Sequence, residues 1–219
     1  MIKLYTYYRS SASYRVRIAL NLKGLPFESI PVHLLRAGGL QHTPDYARIN
    51  PAQLVPTLVD GELTLGQSLA IIEYLEEMYP EPALLPTDAA GRARVRALGQ
   101  TIACEIHPLN NLRVLQYLEH ELKMDLAARA TWYRHWITLG FTALESMLDN
   151  SPLTGTFCHG EQPTLADCFL IPQVVNARRF DTPLVAFPHI ARIEAACMAL
   201  AAFQRAAPQV QLDAQPNEN

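Results

Sequence analysis

The chain has 219 residues, of which 49% are hydrophobic and 18% charged, and its formal net charge is −3. That length suits one large domain or two small ones with a substantial core. The charge gives no electrostatic reason to expect nucleic acid or an anionic membrane surface as a partner, and no apolar run approaches the roughly 18 residues that cross a bilayer.

In chain order, residues 2–6 form a short β-like run. Residues 13–23 read as a helix with Val16, Ala19, Leu20 and Leu22 set against Arg15, Arg17, Asn21 and Lys23, stopped by Gly24. Residues 27–32 are strand-like again, so the opening is a βαβ unit. A loop with Gly38-Gly39 and a short helix lead to Asn50. A third strand spans 54–59, and Asp60-Gly61 is a hairpin turn into a partner strand at 62–65. A helix over 67–78 follows. Three prolines within 79–86 forbid its continuation, which places a linker at 81–88 between a domain of residues 1–80 and one of 89–219. Everything beyond reads as helix, at about 89–119, 125–149, 164–178 and 188–201, with a polar tail after Pro208 expected to fray. Pro108 falls inside the first of these helices and should kink it.

The opening residues reach Arg9, Arg15 and Arg17 without the apolar stretch of a secretory leader. Cys104, Cys158, Cys168 and Cys197 show neither a C-x-x-C pair nor metal-ligand spacing. A reduced, cytoplasmic chain without a bound metal is the expectation.

Three local features admit two readings each. Val55-Pro56 lies where a strand should be. The proline marks either an edge strand or bulge, or a cis peptide that leaves the Val55 N–H and C=O to pair with an extended ligand. Ser10-Ser11 and Gln67-Ser68 each precede a helix. Such residues cap helices, but a hydroxyl or an anion site at a helix start can also serve a ligand. Thr164-Leu165-Ala166-Asp167 reads as a structural capping box.

The order of these elements resembles the glutathione transferase superfamily, an α/β thioredoxin-like N-terminal domain followed by an all-α C-terminal domain. The run from Tyr7 to Leu20, centred on Arg9-Ser10-Ser11-Ala12-Ser13-Tyr14-Arg15-Val16-Arg17, is similar to the signature of the zeta class. So are Asn50-Pro51, Leu54-Val55-Pro56, Gln67-Ser68-Leu69-Ala70, Thr164-Leu165-Ala166-Asp167 and Ala177-Arg178-Arg179-Phe180. The likeness runs from about residue 2 to 208.

The resemblance implies glutathione as cofactor, a small dicarboxylate as substrate and a homodimer. It gives Ser10, Ser11 and Arg9 the catalytic positions. Glutathione would be held by Ser10, Ser11, Gln53, Val55, Gln67, Ser68, His107 and Asn111, with Val55 offering its backbone and Ser68 a helix start to the γ-glutamyl carboxylate. Arg9, Arg179 and Arg113 would hold substrate carboxylates, for which guanidinium forks are suited. A free thiol of ordinary pKa is only about 3% ionised at pH 7, so a serine hydroxyl and the positive end of the following helix would have to stabilise the thiolate. The implied reaction is glutathione-dependent cis–trans isomerisation of maleylacetoacetate or maleylpyruvate. Two departures from the pattern stand out. Related maleylpyruvate isomerases have an arginine directly after the Asn-Asn pair, whereas here Leu112 follows Asn111 and Arg113 comes one step later. Ala12 stands where many zeta members have cysteine. A conjugating transferase or dehalogenase, and a fold retained only as a binding module, are the competing readings.

Overall fold

The computed structural model describes residues 1–215 and divides the chain into two compact units, Met1–Leu84 together with the chain from Met198 onward, and Leu85–Cys197. The first unit contains a four-stranded sheet. Strand β1 (Ile2–Thr6) buries Ile2, Leu4 and Thr6 and turns Lys3 outward, the alternation expected of a strand with one buried face. Helix α1 (Ser11–Leu22) carries the chain over to β2 (Phe27–Pro31), which pairs parallel to β1. After α2 (Pro44–Ile49) come β3 (Thr57–Asp60), antiparallel to β1, and β4 (Leu63–Gly66), antiparallel to β3 through the Asp60-Gly61 turn. The strand order is β2-β1-β3-β4. Helix α3 (Ser68–Met78) closes the first pass of the chain through this unit.

Helix α1 departs from the amphipathic pattern read in the sequence. Arg15 and Arg17 are buried rather than solvated, and so is Lys23 just past the helix end. Lys23 and Arg17 have fixed partners, as desolvated cations require. Lys23 Nζ lies 2.7 Å from the Glu76 carboxylate and donates to the carbonyls of Tyr79 and Pro82, while Glu76 also accepts from the Leu84 N–H. The proline-rich segment after α3 is thereby tied down by one buried ion pair. Arg17 engages the far end of the chain. Its Nε donates to the Ala206 carbonyl at 3.0 Å, in helix α9 (Ala201–Ala206). Tyr14 and Asn21 donate from α1 to the carbonyls of Phe203 and Ala202 on the same helix. The segment after Pro208, expected to fray, is instead docked as far as it is described, with Asp213 accepting the Tyr8 N–H.

The second unit is helical, with α4 (Ala89–Gln100), α5 (Leu112–His120), α6 (Leu126–Asp149), α7 (Leu165–Arg179) and α8 (Pro188–Met198). The predicted single helix over 89–119 is broken. After α4 the backbone widens into a π-helical stretch, Thr101–Ile106, then turns through Pro108 and restarts at Leu112. Pro108 lacks an amide donor and cannot continue a helix, and Asn111 caps the new one by accepting the Arg113 N–H. The wider π turn packs Ile106 onto Gly140 of α6, where a Cβ would overlap the Ile106 side chain. At the start of α7 the Thr164–Asp167 capping box is formed as read. The fully buried Asp167 carboxylate accepts from the Thr164 N–H and hydroxyl and from the Cys158 N–H.

Candidate functional site

In the first unit the loop from β1 delivers Arg9, Ser10 and Ser11 to the start of α1. Ser10 is the N-cap. Its Oγ accepts the Ser13 N–H at 3.2 Å and its own N–H reaches the Tyr7 carbonyl at 3.0 Å. The capping role is therefore present. A hydroxyl that accepts in this way still has its proton to donate. No acidic side chain lies in the first turn of α1, so the positive end of the helix is not neutralised from within. Ser11, the first helical residue, is buried, while Arg9 is half-buried.

The loop before β3 is fixed from below. The Leu54 carbonyl accepts the Tyr46 hydroxyl at 2.6 Å and Asn50 Nδ2 at 2.9 Å, and both side chains also reach Thr57 Oγ1. The Val55-Pro56 bond is cis. Val55 precedes the strand ladder, so its N–H and C=O are not committed to a strand partner. Gln53 sits at φ +55° with its Oε1 2.6 Å from His42 Nδ1, which leaves the amide NH₂ to donate elsewhere. Asn50 lies in the Asn50-Pro51 motif, but its clamping of Leu54 together with Tyr46 is not legible in the sequence. It depends on a chain reversal through α2.

At α3, Gln67 is an exposed non-glycine residue at φ +66°. Left-handed backbone in such a residue is sparsely populated and concentrates where a ligand site needs it. The helix has no side-chain cap and no acidic residue in its first turn, leaving amide donors for an anion. Ser68 is buried there, and its Oγ accepts from Arg15 Nη1 at 3.2 Å. The first unit thus contains a helix-start hydroxyl at Ser10, a Val55 backbone outside the strand ladder and an α3 start with no acidic residue in its first turn.

The second unit holds the remaining candidates. His107 is half-buried at the end of the π-helical stretch, its N–H bonded to the Ile102 carbonyl, and Asn111 Nδ2 lies 3.5 Å from its Nε2. The neighbouring Asn110 donates to the Tyr133 carbonyl. Arg113 is exposed on the first turn of α5. Two adjacent arginines end α7, and their roles separate. Arg178 is engaged by both carboxylate oxygens of Glu194. Arg179 has no acidic partner among the described residues, and its guanidinium lies 5.4 Å from the centre of the Phe180 ring, which stacks on Tyr133 at 3.6 Å. Arg179 is the arginine of the pair left for an anion. Among the described residues there is no group of three or more His, Cys, Asp or Glu arranged for a metal, and no helix is long and apolar enough to cross a membrane.

Comparison with known proteins converges on one family. Residues 4–83 match the model of the glutathione S-transferase N-terminal domain. A "Probable maleylacetoacetate isomerase" of Vibrio cholerae is 52% identical over 211 residues, 96% of this chain and 97% of that protein. A solved holo structure of maleylpyruvate isomerase, a bacterial zeta-class glutathione S-transferase, is 50% identical with a TM-score of 0.95, covering 97% of this chain and all of its own. A maleylacetoacetate isomerase structure from Methylobacterium extorquens with bound malonate and glutathione is 40% identical with a TM-score of 0.93, covering 97% of this chain and 99% of its own. With such identity over nearly its whole length, the chain belongs to the zeta class of the glutathione transferase family.

Proposed function

We propose that this protein is a glutathione-dependent cis–trans isomerase that converts maleylacetoacetate to fumarylacetoacetate in aromatic amino-acid degradation. The observation that carries the reading is the paired helix starts of the first unit. Ser10 at α1 has a hydroxyl to donate and Gln67-Ser68 at α3 has amides to donate, and neither start has an acidic residue to repel an anion. The names of the relatives supply the substrate.

In this reading Gln67, Ser68 and the α3 amides hold the γ-glutamyl carboxylate. The Val55 backbone pairs with the cysteinyl unit, and the Gln53 amide donates nearby. His107 and Asn111 contribute from the helical unit. When bound, glutathione supplies a thiolate that adds reversibly to the carbon–carbon double bond of the substrate and so permits rotation about it. Ser10 donates a hydrogen bond from its hydroxyl to the thiolate sulfur, with Ser11 beside it, and the α1 dipole adds to the stabilisation. Arg9, Arg113 and Arg179 hold the carboxylates of the substrate and orient it, which is where most of the protein's contribution to rate would arise.

Maleylpyruvate is the second substrate reading. It is favoured by the maleylpyruvate isomerase of 50% identity, whereas Arg113, one step beyond the position that carries arginine in that pattern, weighs against it. We also infer a homodimer in the cytoplasm. Four free cysteines suit a reducing compartment, and Leu63 and Met78 expose apolar surface on β4 and α3 that suits cover by a second copy.

The test is a pair of assays on purified protein, with maleylacetoacetate and with maleylpyruvate, following the enol absorbance with and without glutathione. Turnover that needs glutathione but does not consume it supports isomerisation. Stoichiometric consumption would instead mean conjugation, and no change with either substrate would remove the reading.

A further inference from the structure

We infer that Asp213 is a positioning residue for the thiol site, and that residues 208–215 form a strap holding the loop from which Arg9 and Ser10 emerge. The inference rests on the assignment of the thiol to Ser10 in the function proposed above.

The loop consists of Tyr7, Tyr8 and Arg9. Its carbonyls at Tyr7 and Tyr8 accept Nη1 and Nη2 of Arg17 at 3.3 and 3.0 Å, and Nη1 also reaches Thr6 Oγ1 at 2.9 Å. The Tyr8 N–H donates to Asp213 Oδ2 at 3.0 Å, across 205 residues of sequence. The Tyr7 carbonyl in turn accepts the Ser10 N–H, so any movement of this backbone is passed to the cap residue. The loop is therefore fixed from two places at the far end of the chain, through Arg17 to Ala206 and directly to Asp213.

The strap is itself built to return Asp213 to the sheet. Gln211 Nε2 donates back to the Arg205 and Ala207 carbonyls, and the Ala214 N–H closes a turn on the Gln211 carbonyl. Ala214 then packs against the cluster of Tyr7, Tyr8, Val32, Tyr46 and Val55. That cluster contains Val55 itself and Tyr46, which clamps the Leu54 carbonyl. One short segment thus contacts the supports of both the thiol loop and the peptide-pairing loop.

Charge explains why the acceptor is a carboxylate. The Arg17 guanidinium is fully buried, and its hydrogen-bond partners among the described residues are carbonyls and a hydroxyl, none of them charged. Burial pushes its pKa down to about 10, and the field of Asp213 opposes that shift. Loss of Asp213 would leave the Tyr8 N–H without this acceptor and Arg17 without that balancing charge. Both act on the backbone that aims Ser10, and small displacements of a catalytic group are costly in rate.

The experiment uses the full-length protein and the variants Asp213→Ala and Asp213→Asn. The thiol of bound glutathione is titrated by its thiolate absorbance, turnover is measured near neutral pH, and hydrogen exchange is followed at the Tyr8 and Ser10 amides. Asp213→Ala should raise the thiol pKa by about one unit and lower kcat about tenfold, with little change in KM for glutathione. It should also speed exchange at both amides. Asp213→Asn keeps an oxygen for the Tyr8 N–H but not the charge that balances Arg17, and should recover only part of the loss. An alanine variant with wild-type thiol titration and amide exchange, altered only in melting temperature, would overturn the proposal. If the wild-type protein does not ionise glutathione, the Ser10 assignment fails, and amide exchange without ligand then decides the strap on its own: faster exchange in the variant supports it and unchanged exchange overturns it. Should Asp213→Ala not fold, Asp213→Glu, which displaces the carboxylate by one methylene, is read in the same way.

Discussion

The guanidinium of Arg15 donates to Oγ of Ser68 at 3.2 Å, and both side chains lie inside the first unit. The serine oxygen therefore accepts from within the protein, and its own proton points to use elsewhere. Ser68→Ala should raise the dissociation constant for glutathione about tenfold, the scale of a hydrogen bond to a charged group, with kcat little changed at saturation. Calorimetric titration checks this. Glutathione amidated at the γ-glutamyl carboxylate should bind wild type and variant alike. Equal affinity of both proteins for unmodified glutathione would remove Ser68 from the ligand site.

Ser10 carries the opposite expectation. Ser10→Ala should leave glutathione affinity within a few-fold but lower turnover by one to two powers of ten, about the loss of thiolate produced by a rise of one to two pKa units. As an N-cap it should also cost about 1 kcal/mol of stability, which urea denaturation separates from the kinetic effect. Ser11→Ala is the comparison. If that variant loses the thiolate band and Ser10→Ala keeps it, the assignment belongs to the neighbouring residue.

What could be read in advance was the local grammar. The alternation at Ile2–Thr6, the Asp60-Gly61 turn and the Thr164–Asp167 capping box are each decided within a few residues, and each formed as read. Two of the misreadings concern residues whose partners lie far away. Arg15 and Arg17 looked like the wet face of a helix because Ser68, Ala206 and Asp213 cannot be placed beside them from spacing alone. The tail after Pro208 looked frayed because its anchor is a backbone N–H near the other end of the chain. Residue types left Val55-Pro56 open, since cis and trans differ by only about 0.5–1 kcal/mol at proline. The zeta-class resemblance selected the candidate site residues, and Asn50 and Tyr46, which clamp the Leu54 carbonyl, were absent from that selection.

Gly140 is where the break after α4 meets the rest of the helical unit. A Cβ there would overlap the buried Ile106 at the end of the π-helical stretch. Gly140→Ala should cost about 1–3 kcal/mol, as overpacking in a filled core does. It should also disturb the His107–Asn111 turn and so raise KM. Gly99→Ala is the comparison, since the nearest atom there, Leu165 Cδ2, is 3.0 Å away and belongs to a side chain that can give way. Denaturation and steady-state kinetics on the pair check this, and equal behaviour of the two variants would show that the Ile106 contact is not tight.

Asp167 joins a pH dependence to the fold. Its carboxylate accepts hydrogen bonds from the Cys158 N–H at 2.9 Å, the Thr164 N–H at 2.7 Å and the Thr164 hydroxyl at 2.9 Å, and a longer one from the Cys197 thiol at 3.9 Å. Asp167→Asn supplies one acceptor oxygen and places an amide donor against donors, so it should cost roughly 3 kcal/mol near neutral pH. Burial is the larger influence on the acid. It raises the Asp167 pKa above the ordinary value, and the hydrogen bonds only partly oppose the rise. Between the ordinary carboxylate value of about 3.9 and the raised folded value, the folded protein keeps a proton that the unfolded chain releases. The corresponding stability is fully present below the ordinary value and is lost as pH rises through the folded one. The stability of wild type relative to Asp167→Asn should therefore increase on acidification toward pH 4. Urea titrations of both proteins between pH 7 and 4 measure this difference, and a decrease over the same range would mean that the hydrogen bonds, not burial, set the ionisation of Asp167.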